Sequence, residues 1–244
     1  MYYLRMSEQS ISPQRIFRAG VSMLRKEGQY KDPQAYDFVV DKFLGRSKLA
    51  ADMADCLQKY VPCGLGETKV LDEASGTGAI SLNLASRGYK TFASDISQEM
   101  IVQLQSKATE KGVSIESALA NSNTTLPYKD RSFSAVVTAS ANRYITDLDT
   151  FLREVNRVLD VGGYFIWPIL GADIIPWKRN AGLNQPTLSH NLAKEMEKHG
   201  FKVKTDMVGS LFRNTLNGVP AYAIPTYLIG QKLTSGGENI SPKK

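Results

Sequence analysis

The feature that most constrains the fold of this chain is a regular alternation of short apolar runs and helical segments that begins at Lys69. Five apolar runs are predicted strands, and most segments between them have the periodicity of helices. The predicted strands are 70–71, 91–93, 114–119, 133–139 and 164–168, and the predicted helices are 78–85, 97–111 and 148–159. Strands that alternate with helices form βαβ units, whose right-handed crossovers place helices on both faces of a parallel sheet. The predicted fold class is therefore α/β and doubly wound.

The C-terminal part ends without this alternation. The predicted elements here are a helix at 188–198 and strands at 201–208 and 221–233, with a turn at Asn217-Gly218 before the last strand. Gly200 follows the helix and is expected to take the left-handed conformation that stops it. No long helix separates the last two strands, so we expect them to pair antiparallel at one edge. The prediction is a mainly parallel, seven-stranded sheet with one antiparallel strand in its edge region.

The residues before Lys69 are predicted to be helical. Ser12-Pro13 and Asp32-Pro33 are each a capping residue followed by proline at the first helical position, where the missing N–H costs nothing. Apolar side chains at helical spacing predict further helices at 35–44 and 47–61. The predicted parts are a helical cap over residues 1–67, an α/β domain over residues 68–233 and a flexible tail over residues 234–244.

Composition excludes several classes of protein. Of the 244 residues, 42% are hydrophobic and 22% are charged, which excludes a disordered, collagen-like or coiled-coil chain. Two cysteines, Cys56 and Cys63, are too few for a disulfide framework or a zinc cluster, so we expect reduced thiols and a cytoplasmic location. The N-terminus lacks the apolar region of a secretory signal. The longest apolar stretch, 161–177, is interrupted by glycine and proline and is not expected to span a membrane.

The net charge of +6 bears on the partners of the protein. The basic surplus is gathered toward the C-terminus and does not form an even stripe along the chain. We interpret it as a solvated basic face, and nucleic acid is not expected as a partner.

A glycine-rich segment carries the chemistry. Residues 70–78 read V-L-D-E-A-S-G-T-G, a predicted strand that runs into a glycine turn and then a helix. Glycine lets the backbone approach a ligand closely, and the helix N-terminus presents free N–H groups. As the dinucleotide fingerprint G-x-G-x-x-G the segment gives Ala74, Gly76 and Ala79, a poor match. As D-x-A-x-G-x-G it resembles motif I of the class I S-adenosylmethionine-dependent methyltransferases.

The resemblance to this family extends, in the family's order, over about 100 residues, 69–168. Asp95 ends the second predicted strand, where the family keeps a carboxylate whose two oxygens accept the two ribose hydroxyls. Ile96 matches the apolar residue that packs on the adenine, and Asn121 and Ser122 resemble the adenine-contacting segment. Further similar segments are 126–133, 153–159 and 162–163.

The resemblance implies S-adenosyl-L-methionine as the cofactor. It assigns cofactor binding to Asp72, Ala74, Gly76, Gly78, Asp95, Ile96, Asn121, Ser122 and Ala139. Ala74 stands where the family has glycine, which requires a negative φ there because a Cβ at positive φ costs about 1–2 kcal/mol. Asn121 stands where aspartate is common, and its amide oxygen can accept a bond from the adenine amino group. Asp72 either caps the glycine loop or approaches the methionine amino group of the cofactor.

Catalytic residues are harder to assign. Of the two histidines, His190 and His199, the second ends a predicted helix, where a positive charge interacts favourably with the helix dipole. Arg143 and Tyr144 follow the fourth predicted strand, near the expected position of the methyl group. Each of them either orients the acceptor or has a purely structural role, and the sequence leaves both roles equally open. No metal site is expected. Tyr30 and Tyr36 either cover the cofactor or belong to the core.

The predicted function is in-line methyl transfer from S-adenosylmethionine to a small-molecule acceptor. The N-terminal helices and residues 171–185, with Trp177, are expected to form the lid and the acceptor pocket. The alternatives are a nicotinamide-dependent oxidoreductase, an RNA methyltransferase suggested by the isoelectric point of 9.2, and a non-catalytic cofactor-binding module. The acceptor, any general base and the oligomeric state stay open.

Overall fold

The computed structural model describes residues 33–34, 36–37, 46–64, 67–139, 141, 144–169, 185–207, 212–216, 219–223 and 226–233. Several predictions fall on other residues. They concern the helix caps Ser12 and Asp32, Tyr30, Arg143, Trp177, the Asn217-Gly218 turn and the tail over 234–244, all of which lie outside the described residues.

The described residues form helices and strands close to the predicted ones. The helices are α1 (Arg46–Tyr60), α2 (Ala79–Ser86), α3 (Gln98–Lys111), α4 (Leu148–Val158) and α5 (Gln185–Lys198). The strands are β1 (Lys69–Glu73), β2 (Lys90–Asp95), β3 (Ile115–Leu119), β4 (Phe133–Val137), β5 (Leu159–Ile169), β6 (Phe201–Met207), β7 (Phe212–Leu216), β8 (Val219–Ala223) and β9 (Thr226–Lys232). The stop after α5 is as predicted, because Gly200 has a φ of +84°.

Seven of these strands form one sheet in the order β3-β2-β1-β4-β5-β9-β6. The pairs among β1 to β5 are parallel, and β9 runs antiparallel to both β5 and β6. This confirms the predicted α/β fold class with one antiparallel strand. The chain builds outward from β1 in one direction and then from β4 in the other, so a crevice opens at the carboxyl ends of these two strands. In open α/β sheets, ligands bind at this point.

The predicted last strand, 221–233, is wrong in one respect. Only β9 joins the main sheet, while β8 pairs antiparallel with β7 in a separate two-stranded sheet. The sequence contains a signal for this division, since Pro225 lies between the two strands and proline has no N–H for a sheet ladder. β9 also lies between β5 and β6, so the edge strand is β6.

Both faces of the main sheet are covered. Val70 and Leu71 are neighbours in β1, both are fully buried, and they belong to different hydrophobic clusters because successive strand residues point to opposite faces. One cluster contains α1 and α2, and the other contains the aromatic side chains Phe151, Phe165 and Trp167 on α4 and β5. Strands buried on both faces are typical of parallel sheets in α/β proteins.

Helix α1, which the prediction placed in the N-terminal cap, packs on a face of the sheet. Met53 and Leu57 are fully buried in the same cluster as β1 and β5. Cys56 and Cys63 are free, and burial raises the pKa of the Cys56 thiol to about 12. None of the helices in the described part of the chain combines the length and apolarity that a membrane crossing requires.

Candidate cofactor-binding site

A tight loop, residues 74–78, joins β1 to α2 at the crevice. Ala74, Gly76 and Gly78 have φ values of +58°, +56° and +83°. The Ser75 N–H donates to the Ser94 carbonyl at 2.9 Å, and the Gly78 N–H donates to the Ser75 carbonyl at 3.0 Å. Three left-handed residues within five positions reverse the chain at once, so the start of α2 directly follows the end of β1.

The expectation of a negative φ at Ala74 is wrong. This residue takes the left-handed conformation of the family's glycine and keeps its Cβ, which costs about 1–2 kcal/mol. The surrounding loop fixes the conformation, since the next residue is bonded to β2. Strained backbone of this kind persists where the neighbouring structure holds it and is concentrated at binding sites.

The two glycines of the loop meet different requirements. A Cβ on Gly78 would lie 2.6 Å from Leu104 Cγ, so this glycine lets α2 start against α3. A Cβ on Gly76 would lie 3.6 Å from Tyr36 Oη, in ordinary contact. Gly78 is therefore required by packing, whereas Gly76 supplies an N–H and the positive φ.

Asp95, the last residue of β2, faces the loop. Its Oδ2 accepts the Gly76 N–H at 2.7 Å, and its Oδ1 accepts the Ser97 N–H at 3.0 Å. The residue is 6% exposed, and burial raises the pKa of its carboxyl. Each oxygen can still accept a further bond, because a carboxylate has about four acceptor positions. Ile96 is 54% exposed beside it, which leaves an apolar surface next to a paired set of acceptors.

The structure gives the Asn121 and Ser122 side chains hydrogen bonds, and those of Asn121 fit a turn residue, an alternative that the sequence left open. Asn121 Oδ1 accepts both the N–H of Asn123 at 3.0 Å and its Nδ2 at 3.2 Å, so it belongs to a turn. Ser122 Oγ donates to the Glu73 carboxyl at 2.6 Å. An adenine contact by the Asn121 oxygen would have to replace one of these local bonds.

Asp72 caps the first turn of α2. Its Oδ2 accepts the Ser81 N–H at 3.0 Å and the Ser81 hydroxyl at 2.5 Å. Burial raises the pKa of Asp72 to about 7, against the bonds from Ser81 and the positive charge of Arg46. Of the two roles left open by the sequence, the cap is present in the structure.

A cavity opens beside the loop and joins it to the N-terminal segment. Its lining residues are Tyr36, Arg46, Asp72, Ala74, Ser75, Thr77, Ala79, Ile80 and Ala139. Arg46 Nη2 donates to Tyr36 Oη at 2.9 Å, and within the described residues the structure gives this guanidinium no carboxylate partner. Nothing in the sequence predicted that Arg46 lines this cavity, because an arginine at the start of an amphipathic helix belongs to no local motif.

Asp37 fastens the N-terminal segment to the loop. Its carboxyl accepts a bond from the Thr77 hydroxyl and forms an ion pair with Lys107 Nζ at 2.5 Å. Tyr36 thereby lies against Gly76, and burial raises the pKa of its hydroxyl. Of the residues before α1 that the structure describes, Tyr36 and Asp37 lie against the glycine loop at the strand ends.

The remaining candidates contribute less to the cavity. Tyr144 is 39% exposed, and its carbonyl accepts Asn123 Nδ2 at 2.9 Å. His199 bonds to the Glu195 carbonyl at 2.7 Å and to Asp149 Oδ1 at 2.9 Å, which ties the end of α5 to α4. His190 is exposed on α5, and neither histidine lines the cavity. Within the described residues no group of acidic, histidine and cysteine side chains is arranged to hold a metal.

Comparison with known proteins relates the central residues of the chain to methyltransferases. The family model described as a methyltransferase domain matches residues 71–167. Demethylmenaquinone methyltransferase of Thermobifida fusca is 35% identical over 100 residues, which are 40% of this chain and 41% of that protein. A ubiquinone/menaquinone biosynthesis C-methyltransferase of Chromobacterium violaceum is 38% identical over 98 residues, 39% of this chain and 40% of that protein. The aligned part thus spans about two fifths of these relatives.

Solved structures share the fold at low sequence identity. A SAM-dependent methyltransferase from Aquifex aeolicus matches with a TM-score of 0.55 and 17% identity, over 91% of this chain and 100% of that one. Magnesium protoporphyrin IX methyltransferase of Synechocystis, solved with bound SAH, matches with a TM-score of 0.57 and 17% identity, over 78% of this chain and 84% of that one. The sheet and its crevice therefore have the architecture seen in these enzymes.

Proposed function

We propose that this chain, whose residues 71–167 are a class I S-adenosylmethionine-dependent methyltransferase domain, transfers a methyl group to a small organic molecule. The observation that carries this is the position of Asp95: a buried carboxyl at the carboxyl end of β2, oriented by two backbone N–H groups beside a strained glycine loop. The free cysteines fit a cytoplasmic location, which is part of the proposal.

The residues around Asp95 fit the parts of S-adenosylmethionine. The two carboxylate oxygens would take the vicinal ribose hydroxyls, and the exposed side chain of Ile96 would pack on the adenine. At the cavity, Arg46 would bind the carboxylate of the methionine part, and Asp72 lies close enough for its amino group. When bound, the cofactor supplies a methyl group on a positively charged sulfur, which a nucleophile can attack in line.

This chain's contribution to the reaction is positioning and exclusion of water. Tyr36 and Ala139 line the cavity, and the bond between Asp37 and Thr77 holds the segment that carries Tyr36 against the glycine loop. Reactions of this type gain most from correct placement of the two reactants.

The acceptor class is supported less directly than the cofactor. The named relatives act on quinone precursors, but the similarity covers the cofactor-binding part, and the segment predicted to meet the acceptor, 171–185, lies outside it. Among the described residues that line the cavity, Arg46 is the one basic side chain, and phosphate contacts to RNA need several, which favours a small acceptor over RNA.

Calorimetric titration tests the cofactor. S-adenosylhomocysteine should bind, and nicotinamide dinucleotides should not, since the glycine pattern is poor for them. Tight binding of a nicotinamide dinucleotide alone would replace the proposal by an oxidoreductase.

Turnover tests the reaction. A radioactive methyl donor is incubated with a panel that contains a demethylmenaquinone analogue, phenols, amines and transfer RNA. Methylation of a small acceptor supports the proposal, and methylation of RNA with a steep salt dependence contradicts it. Cofactor binding without turnover across the panel would favour a non-catalytic module.

A further inference from the structure

Glu73 is a buried acidic residue that the proposed function leaves without a role. It ends β1 and is 0% exposed, next to Asp72, which caps α2. Neighbouring residues of a strand point to opposite faces, so Asp72 faces α2 and Glu73 faces away from it. In the glycine motif its position is a variable one, and the sequence analysis drew nothing from it.

Two serine hydroxyls from different parts of the sheet donate to the Glu73 carboxyl. Ser94, the register partner of Glu73 in β2, donates to Oε2. Ser122, in the segment that follows β3, donates to Oε1 at 2.6 Å. Because β2 lies between β1 and β3, the Glu73 side chain reaches past the neighbouring strand to a segment two strands away.

Stability does not account for this arrangement. Burial raises the pKa of Glu73 to about 7, the serine hydroxyls oppose that shift, and the carboxyls of Asp95 and Asp72 add to it. A leucine could fill a similar buried volume with no charge to desolvate. The carboxyl therefore costs free energy relative to an apolar side chain, and its distinctive property is the pair of bonds that it accepts.

The segment held by Glu73 borders the carboxylate proposed to bind ribose. The Ala120 N–H donates to the Asp95 carbonyl at 2.9 Å, and Ser122 follows two residues later. Thr124 and Asn123 complete the turn through bonds to Asn121. The Asn123 side chain holds this turn to residues 144–147, and the Glu73–Ser122 bond holds it to β1, so loss of Glu73 releases the turn on the β1 side.

We propose that Glu73 is a positioning residue that holds Ser122, and with it the turn at residues 121–124, in place for a nucleoside bound by Asp95. The inference rests on the proposed function, in which that nucleoside is the adenosine of the cofactor. Glu73 itself touches neither cofactor nor acceptor. It acts through Ser122.

Calorimetric titration of S-adenosylhomocysteine into the full chain tests this. Glu73→Leu should weaken binding about tenfold, the scale of one hydrogen bond to a charged group. Glu73→Gln, which can accept from one serine and donate to the other, should stay within about twofold of wild type. Ser122→Ala should weaken binding, and the double variant Glu73→Leu/Ser122→Ala should bind no more weakly than Glu73→Leu, because both changes remove the same bond.

The matched control is Asp206→Asn. Asp206 accepts bonds from Lys59 and Tyr60 and ties β6 to α1, at the far edge of the sheet from the turn. This variant should lose stability and keep the wild-type affinity, which separates general destabilisation from positioning.

The outcomes are distinct. Wild-type protein that binds no S-adenosylhomocysteine overturns the proposed function and this inference with it. If the wild-type protein binds S-adenosylhomocysteine and Glu73→Leu binds it equally well, the inference alone is overturned. A Glu73→Gln variant that binds as weakly as Glu73→Leu overturns it too. If Glu73→Leu does not fold, Ser122→Ala decides, and an unchanged affinity in that variant overturns the inference.

Discussion

The pKa values of acidic side chains are shifted in opposite directions in two regions of this molecule. At the carboxyl ends of β1 and β2, the pKa values of Asp72, Glu73 and Asp95 are all raised by burial. Near the end of α4, bonds from Arg157 and the Leu126 N–H outweigh burial and lower the pKa of Glu154. The three carboxyls of the first region accept bonds mainly from serines and backbone N–H groups, whereas Glu154 accepts a bond from the guanidinium of Arg157.

The second region, which we call the Arg157 junction, consists of Arg157, Glu154 and residues 126–130. Arg157 donates to the carbonyls of Leu126 at 3.1 Å and Tyr128 at 2.8 Å, and to the Glu154 carboxyl at 2.7 Å. Glu154 in turn accepts the Leu126 N–H at 2.7 Å. Each charge is matched, so the junction fastens the approach to β4 onto α4.

The two regions contribute to the stability of the fold with opposite signs. The Arg157 junction stabilises the fold, while the site keeps three carboxyls in a buried place and an alanine at positive φ. Such strained and poorly compensated groups are concentrated at functional sites. Four experiments test this contrast.

The largest expected effect is a pH dependence of stability that arises at the site. Asp72 and Glu73 have folded pKa values of about 7, well above the unfolded values of about 4. In this interval the native state holds protons that the unfolded state lacks, so the free energy of unfolding falls as pH rises. We expect a fall of about 4 kcal/mol between about pH 5 and pH 7 in urea titrations, roughly 2 kcal/mol from each carboxyl.

The double variant Asp72→Asn/Glu73→Gln sharpens this measurement, since it should lose most of that slope. The Arg157 junction does not contribute in the same interval. The pKa of Glu154 is lowered, so its stabilisation is present above about pH 4 and is lost only as pH falls further. A wild-type stability that is flat or rises between about pH 5 and pH 7 would contradict the raised pKa values of the site.

Removal of Arg157 should have the next largest effect. Arg157→Ala should lower the free energy of unfolding by about 2–3 kcal/mol, because it leaves Glu154 and two carbonyls without their partner. Arg153→Ala, on the exposed face of the same helix, is the control and should cost less than about 1 kcal/mol. Affinity for S-adenosylhomocysteine should stay unchanged in both. An affinity loss in Arg157→Ala would show that the two regions are not separate.

Asp95→Ala tests the site from the binding side. S-adenosylhomocysteine affinity should fall by about 1.5–3 kcal/mol, or roughly tenfold to hundredfold, since bonds to a charged acceptor are lost. Asn121→Ala should lose less, about 0.5–1.5 kcal/mol at most, because its oxygen is neutral and already bonded to Asn123. Circular dichroism checks that each variant is folded. Unchanged affinity in a folded Asp95→Ala protein would remove Asp95 from the ribose site.

The smallest expected effect has the opposite sign. Ala74→Gly should raise the free energy of unfolding by about 1 kcal/mol, because glycine takes a φ of +58° without the steric cost of a Cβ. Ala85→Gly, in the last turn of α2, is the control at a helical position and should lower stability by up to about 1 kcal/mol. A loss of stability in Ala74→Gly as large as in Ala85→Gly would mean that the loop is not strained.

Local signals in the sequence sufficed for the order of the elements. Short apolar runs separated by segments of helical periodicity predicted β1 to β5 and the helices between them, because burial on both faces requires those patterns. The glycine loop and Asp95 were also found in this way, since the turn and the strand end are each marked by residues close in sequence. The stop at Gly200 after α5 has the same origin.

What the sequence could not determine is which distant groups meet. Ser122 reaches Glu73 across 49 residues and Thr77 reaches Asp37 across 40, and neither partner is marked by periodicity or by a local motif. The place of β9 between β5 and β6 is equally non-local. Even the φ of Ala74 was decided by its surroundings, because the bond from Ser75 to β2 outweighs the intrinsic preference of alanine. The amino-acid pattern therefore determined the sheet and the position of its crevice, and only tertiary packing decided which side chains fill it, since hydrogen bonds between remote segments exist only once the strands have assembled.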